Sequence, residues 1–532
     1  MLADSTVEMV TQKLAPIEWL MVIIFSIGII AWGFVMRRAA GSLEGSFLAG
    51  RKVPGLLASL STVATNLNAN DFIGGAGFVY AFGVVILHAS WVNSLALVLV
   101  SLFPVQKLRR LNVFTLGGWL ERRYCFSVGF MYSLAWSVIW MLFNLGLYLY
   151  AGALVLQTLV GWPLYESIVV LSVIAAAVTL LGGFGAVVAV DVLQILLMFF
   201  PFIFVAWGTM SDIGGIAELA RSLPADKAAF WTQDTPFGVM PIMLFGIFFM
   251  GLSYWSTEAQ VVQRPLASKS EEDSIISYLG ASFWFSILVP LLISLPALAA
   301  IKFYPDLENN DHAMPMLIRR VLPRGLYGVT VVGLMAGVFS SVEAQINSFC
   351  AMFTTDIYRR VLVPNRDEQH YLIASKVAGV VFSLAAIGTA VVFSFAKDGM
   401  MLFAISVLAT IMPPFASVTI VGALDRRVNK HGALAGVIVA AVVAIGLVVA
   451  DKLGYLASIS KETLYFRTMV TFLTGVVVTY AVSLASRPSH GGVEASYTGL
   501  DLSMKWSPRV LRMTVLLLAG MAVMVGIWSY YF

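Results

Sequence analysis

Residues 57–84 read LASLSTVATNLNANDFIGGAGFVYAFGV. The stretch is long enough to cross a bilayer, which takes about 20 apolar residues per helix. Its centre nevertheless carries Asn66, Asn68, Asn70 and Asp71. Hydrocarbon holds no water to satisfy such groups, so a continuous lipid-facing helix does not fit. Polar residues at that depth face a protein interior or an aqueous cavity. Discontinuous helices of this kind form midplane sites in secondary transporters, where freed backbone carbonyls ligate cations. The first expectation is therefore a transporter with a broken core helix.

The rest of the chain agrees with a membrane setting. Of 532 residues 59% are hydrophobic and 12% charged, against about 25% charged in a soluble domain. The net charge of +4 is small and gives no reason to expect nucleic acid as a partner. Cys125 and Cys350 make no disulfide framework and are expected as free thiols. The apolar excess recurs along nearly the whole length, so the expected fold class is an all-α polytopic membrane protein.

About 14 transmembrane helices are expected, at roughly 20 residues per crossing. Their extents are 17–36, 54–82, 84–105, 127–157, 163–182, 186–210, 238–262, 275–302, 326–357, 371–396, 398–424, 431–450, 464–485 and 510–531. Basic clusters follow the first, third, seventh, ninth, eleventh and thirteenth spans: Arg37 and Arg38, Lys107 to Arg110, Arg264 and Lys269, Arg359 and Arg360, Arg426 and Arg427, then Arg487, Lys505 and Arg509. All fall on one side if the spans alternate, and that side is expected to be cytoplasmic. Both termini are then external, in the plasma membrane, or the inner membrane if the source is bacterial. Arg221, Arg319, Arg320 and Arg324 lie against this bias. Polar interruptions recur in the seventh span, from Gly251 to Glu258. Matched interruptions in two halves point to an inverted-repeat transporter site.

Three further motifs carry polar chemistry into apolar spans. GGFGAVVAVDVLQ (182–194) places Asp191 within the sixth span, SYWSTEAQVVQRPLASKS (253–270) closes the seventh, and AGVFSSVEAQINSFCAMFTTDIYRR (336–360) fills the ninth. A sodium ion needs about five or six hard oxygen ligands, which hydroxyls and carbonyls supply. Ser340 and Ser341 are adjacent, with Gly337 one turn earlier on the same face. The plainer reading of the serine pair is close helix packing by small residues. Asp191, Glu258 and Glu343 are costly in a membrane, at about 2.5–3.5 kcal/mol for a central carboxylate. Glu343 would reach an aqueous cavity, pair with a basic residue, or share an ion or proton with Asp191.

Together these motifs resemble the sodium/solute symporter family, which includes the sodium–glucose cotransporters, over roughly residues 45–430. YW…VQR followed by LASKS is similar to its sugar and sialic-acid branch. The resemblance implies a leucine-transporter-type core of five helices plus five inverted. It divides one transporter domain into a first flanking helix (17–36), a first repeat (54–210), a second repeat (238–424) and peripheral C-terminal helices (431–531). It implies sodium as the coupling ion, held by Ala64, Leu67, Gly337, Ser340 and Ser341, with no organic cofactor.

In family members with a second sodium site, Asp191's counterpart is a ligand together with two hydroxyls. Here Glu343 and Ala344 stand at the hydroxyl positions, so the pair Asp191 and Glu343 is expected instead as a second cation or proton site. The substrate site it implies draws on Asn66, Asp71, Ser90, Trp91, Tyr254, Trp255, Glu258 and Ser286, with Asn68 and Asn70 as further candidates. The resemblance also implies Tyr254 as the inner gate. Ser90 replaces a glutamate that grips sugar hydroxyls, and Ser286 replaces a lysine of one bacterial sugar-carrier group. An acidic cavity of this kind suits a hydroxyl-rich solute and equally an amine. The expected function is thus import of a sugar or sugar-like solute with sodium, across a lipid bilayer. The alternatives are symport of an amine, amino acid or carboxylate, or a sodium channel or transport-like sensor. His88, His312, His370, His431 and His490 are too dispersed for a metal cluster, and no nucleophile motif supports an enzyme.

Overall fold

The computed structural model describes residues 14–38, 40–395, 400–457, 459, 463–486 and 506–532. Expectations for Arg487, His490 and Lys505, and for the side chain of Asn70, lie outside the described residues. The long helices are α1 (Pro16–Met36), α2 (Gly55–Asn66), α3 (Ala69–Phe82), α4 (Val84–Arg110), α5 (Phe126–Val160), α6 (Leu164–Ile213), α7 (Met240–Thr257), α8 (Ala259–Ala267), α9 (Glu271–Phe303), α10 (Leu326–Leu362), α11 (Glu368–Phe393), α12 (Met400–Leu424), α13 (Lys430–Lys452), α14 (Leu464–Ala485) and α15 (Pro508–Tyr531). A two-residue hairpin, Asp234–Thr235 with Gly238–Val239, sits in the loop before α7.

Twelve of the described helices are long and apolar enough to cross a membrane. The sequence count of fourteen differs because it includes the broken α2–α3 segment and divides residues 164–213. The division has a physical cause at Gly183, whose φ of 62° and ψ of −168° interrupt α6. A Cβ there would stand 2.9 Å from the Ser46 carbonyl oxygen, so only glycine fits the turn. An unbroken helix of 50 residues would run about 75 Å, more than twice a hydrocarbon core.

Helix α10 lies at the centre, with 94% of its most apolar window buried, and packs most extensively on α6. Gly333 permits that approach, since a Cβ there would come within 2.3 Å of the Leu197 carbonyl oxygen. By contrast α1, α13 and α15 are only 22–28% buried in the same measure and show apolar side chains outward. Ile24, Val442 and Leu516 are examples. An apolar exterior around a polar centre is what a bilayer solvent selects.

Two breaks position the centre. Helix α2 stops at Asn66, where Leu67 turns extended (φ −106°, ψ 106°), and α3 restarts at Ala69. Helix α7 stops at Thr257, where Glu258 is extended (φ −65°, ψ 115°), and α8 continues. Arg264 lies in α8 and is fully buried, which corrects its reading as a loop charge. Cys125 and Cys350 are free thiols.

Candidate ion and solute sites

The α2–α3 break is organised by Asp71. In a continuous helix the Asn68 N–H would bond the Ala64 carbonyl, and the Asp71 N–H would bond that of Leu67. Instead Asn68 N–H donates to Asp71 Oδ2 at 3.0 Å, and Asp71 N–H donates to the Asn68 carbonyl at 3.0 Å. Two carbonyls are thereby released from the ladder, those of Ala64 and Leu67, the same pair that sequence reasoning nominates for sodium. Helix α10 meets this junction. Ser341 Oγ donates to the Thr65 carbonyl at 2.8 Å, and the Gly337 Cα–H face lies against Leu67 and Asn68. A Cβ on Gly337 would touch the Leu67 carbonyl at 3.4 Å. The five nominated residues therefore converge on one buried junction of α2 and α10.

Asp191 adjoins the junction. It accepts from Ser61 Oγ at 2.5 Å and Ser340 Oγ at 2.5 Å, and faces Arg264 Nη2 at 3.7 Å. Arg264 is spent on the same cluster. It donates to Ser61 Oγ at 3.2 Å, to the Gln260 carbonyl at 2.5 Å and to Thr65 Oγ1, and it stacks over Phe184. Asp191 is thus charge-compensated by a guanidinium, a partner that the spacing of the motifs did not reveal. Glu343 is also fully buried, yet among the described residues neither of its carboxylate oxygens has a hydrogen-bond partner. It does not reach solvent, and among the described residues it pairs with no basic side chain.

A cavity of about 380 Å³ opens beside the break. Of the substrate candidates, Asn66, Asn68, Asp71, Ser90, Tyr254 and Trp255 line it. Trp91, Ser286 and Glu258 do not. The Trp91 indole N–H donates to the Ser286 carbonyl at 2.9 Å, and its ring packs on Phe230 and Trp528. Ser286 Oγ turns back to the Ser282 carbonyl at 2.6 Å. Glu258 is sealed in the α7–α8 break, where Trp140 Nε1 donates to it at 2.8 Å and Gln345 Nε2 at 3.4 Å. These three serve packing and helix-break satisfaction rather than the cavity wall. Sequence reading passed over Asn93, Trp140, Asn144 and Tyr148, which do line it. Asn93 and Asn144 carried a usable signal, an amide within an apolar run.

A hydrogen bond spans the cavity's edge at the tip of α2. Tyr254 Oη donates to Asn66 Oδ1, tying α7 to the tip of α2. Beyond that tie, Arg51 bonds the carbonyls of Leu266 (3.2 Å) and Val113 (2.9 Å). Gln263 Nε2 bonds the Phe47 carbonyl at 2.8 Å, and Arg109 the Ser268 carbonyl at 2.8 Å. In the opposite direction the lining follows α3 through Gly75, Phe78 and Val79. There the turn Asn310–His312 lies against Gly77, where burial raises the Asp311 carboxyl above the usual carboxylate range.

A freed-carbonyl junction next to a mainly apolar cavity that carries a few amide and carboxyl groups is the anatomy of a coupled transporter, and the sequence comparison identifies which kind. Residues 46–440 match the sodium:solute symporter family. The chain belongs to that family. As a sodium:solute symporter it is a multi-pass membrane transporter driven by sodium, not an enzyme.

Its relatives within the family include a sodium/glucose cotransporter of Vibrio parahaemolyticus. That protein is 26% identical over 75% of this chain and 78% of its own length. Another is a sodium/myo-inositol cotransporter 2 of Oryctolagus cuniculus, 24% identical over 90% and 78% respectively. Among solved structures, a substrate-bound, outward-open Na+-coupled sialic acid symporter superposes with a TM-score of 0.78. It is 20% identical, with 89% of this chain and 99% of that one covered. The symporter therefore has the leucine-transporter-type fold expected from its motifs.

Proposed function

We propose that the protein imports a small hydroxylated solute together with Na+, which binds to Ala64, Leu67, Gly337, Ser340 and Ser341. The observation that carries this reading is the pair of carbonyls that Asp71 releases at the α2–α3 break, with the Ser341 hydroxyl beside them. Carbonyls and hydroxyls are hard neutral donors suited to a monovalent cation. Ser341 can serve without losing its hydrogen bond, because its proton points to Thr65 and its lone pairs remain free.

Sodium bridging α2 to α10 stabilises the conformation in which the cavity is open along α3. Solute then enters beside Asn66, Asp71 and Trp255. Release inward requires the Tyr254–Asn66 tie and the Arg51 and Gln263 links to part. Coupling follows from sodium's differential affinity for the two states. One charge crossing 100 mV supplies about 2.3 kcal/mol, or roughly forty-fold accumulation. With the basic clusters cytoplasmic, the end tied by Tyr254 faces the cytoplasm, both termini are external and the membrane is the plasma or inner membrane. The repeats span 54–210 and 238–424, with 17–36 and 431–531 peripheral.

Glu343, partnerless and buried, is the site at which a second cation or a proton joins the cycle, beside an Asp191 already balanced by Arg264. A hydroxyl-bearing, sugar-like solute is supported by the aromatic residues Tyr148 and Tyr254 in the wall, beside the nearly buried Trp140 and Trp255, since rings stack on C–H surfaces. The sugar and inositol relatives support it too. Counterflow in proteoliposomes tests the reading. Trans-accelerated exchange of a sugar or polyol in Na+ but not K+ is expected, and exchange indifferent to the cation would overturn it.

A further inference from the structure

The cavity wall presents one carboxyl group among its described lining residues, that of Asp71, and no lysine, arginine or histidine accompanies it there. Arg264, fully buried in α8, is committed to Asp191. Asp71 spends one oxygen on the Asn68 N–H and is half-buried at the cavity surface, so Oδ1 remains for a ligand. Trp140, Tyr148, Tyr254 and Trp255 line the same cavity. A carboxylate among aromatic faces is the usual composition of an organic-cation site, because ring quadrupoles and the anion attract the same charge. An anionic solute would meet a carboxyl group at low dielectric, with no basic side chain among the described lining residues to offset it.

We propose that the transported solute carries a protonated amine on its hydroxylated frame and that Asp71 is the counter-charge that selects it. The proposal rests on the cavity being the solute site, as argued above, and narrows the solute to an amine-bearing polyol of the size of an amino sugar. Asp71 then joins the two ligands: one oxygen holds the break that presents the sodium carbonyls, and the other holds the amine. Occupancy by the amine fixes the carboxylate and with it the ion site. That gives reciprocal tightening of solute and Na+.

The test uses the purified full-length protein and thermal stabilisation in NaCl, with matched solutes: hexose, hexosamine, N-acetylhexosamine and hexuronate, and a cyclitol beside its amino derivative. The amines are expected to half-saturate at concentrations about tenfold or more below their neutral partners, as for a charge-assisted hydrogen bond, and the acid to bind weakest. Asp71→Asn should bring the amine-to-neutral ratio close to one. Binding confined to neutral or acidic members, or no stabilisation by any amine, overturns the proposal. So does an amine preference that survives in Asp71→Asn. The shift given by Na+ alone separates the two readings. If Na+ stabilises and no amine does, only the amine assignment falls. If Na+ gives no shift over K+, the ion site falls with it. Should Asp71→Asn fail to fold, the wild-type series of matched pairs still decides.

Discussion

Ser341→Ala removes one of five proposed sodium ligands and nothing else of comparable size. The side chain is fully buried, and its Oγ donates to the Thr65 carbonyl at 2.8 Å. Loss of that bond costs about 1 kcal/mol of stability. The bond persists with or without the ion, because the proton stays on Thr65 while a lone pair faces the cation. The cost therefore cancels from the sodium affinity. What remains is one oxygen contact to a charged group, about 1.5–3 kcal/mol, or roughly ten- to a hundredfold in sodium concentration. The assay is the Na+ concentration giving half-maximal thermal stabilisation of purified protein, repeated as half-maximal uptake in proteoliposomes. Ser341→Thr keeps the hydroxyl and should stay close to wild type. A folded Ser341→Ala protein whose sodium requirement lies within twofold of wild type would refute the ligand assignment and leave the serine pair as a packing device.

Other perturbations probe neighbouring parts of the account. Tyr254→Phe deletes the hydroxyl that ties α7 to Asn66. It should raise labelling of a cysteine placed in the cytoplasmic approach by up to about tenfold, the worth of one hydrogen bond; unchanged labelling would remove Tyr254 from the gate. Arg264→Met leaves Asp191 buried without its counter-charge and should destabilise the protein by about 3–5 kcal/mol. In the double variant with Asp191→Asn much of that loss should return, and strict additivity in thermal unfolding would contradict the pairing. Glu343→Gln should change the charge moved per solute or the pH profile of uptake. If both stay as in wild type, the carboxylate is structural.

The breaks were legible because membranes penalise what soluble cores tolerate. Four polar residues within Asn66–Asp71 could not be read as a lipid-facing helix, and the structure ends α2 at Asn66. The serine pair was legible because its motif is contiguous. Cross-chain relations were not. Arg264 lies three residues before a loop and reads as a topology charge, yet it folds inward to Asp191, 73 positions away in sequence. Trp91 and Ser286 looked like cavity residues by correspondence with relatives, but they bond to each other through a backbone carbonyl. Glu258 stands out in the sequence as a carboxylate in an apolar span, and the structure places it at the α7–α8 break, bonded by Trp140 and off the cavity wall. Asn93 and Asn144 reach the cavity only because α4 and α5 pack with those faces inward, a choice made by helix packing rather than by local pattern.

Solute-induced thermal stabilisation in Na+ against K+, across a panel of hydroxylated solutes with and without an amine, tests the central claim most directly. The account predicts that a solute stabilises the protein in Na+ and gives little or no shift in K+ at the same ionic strength, with Na+ alone already raising the melting temperature. Equal stabilisation in the two salts would contradict sodium coupling at the α2–α10 junction.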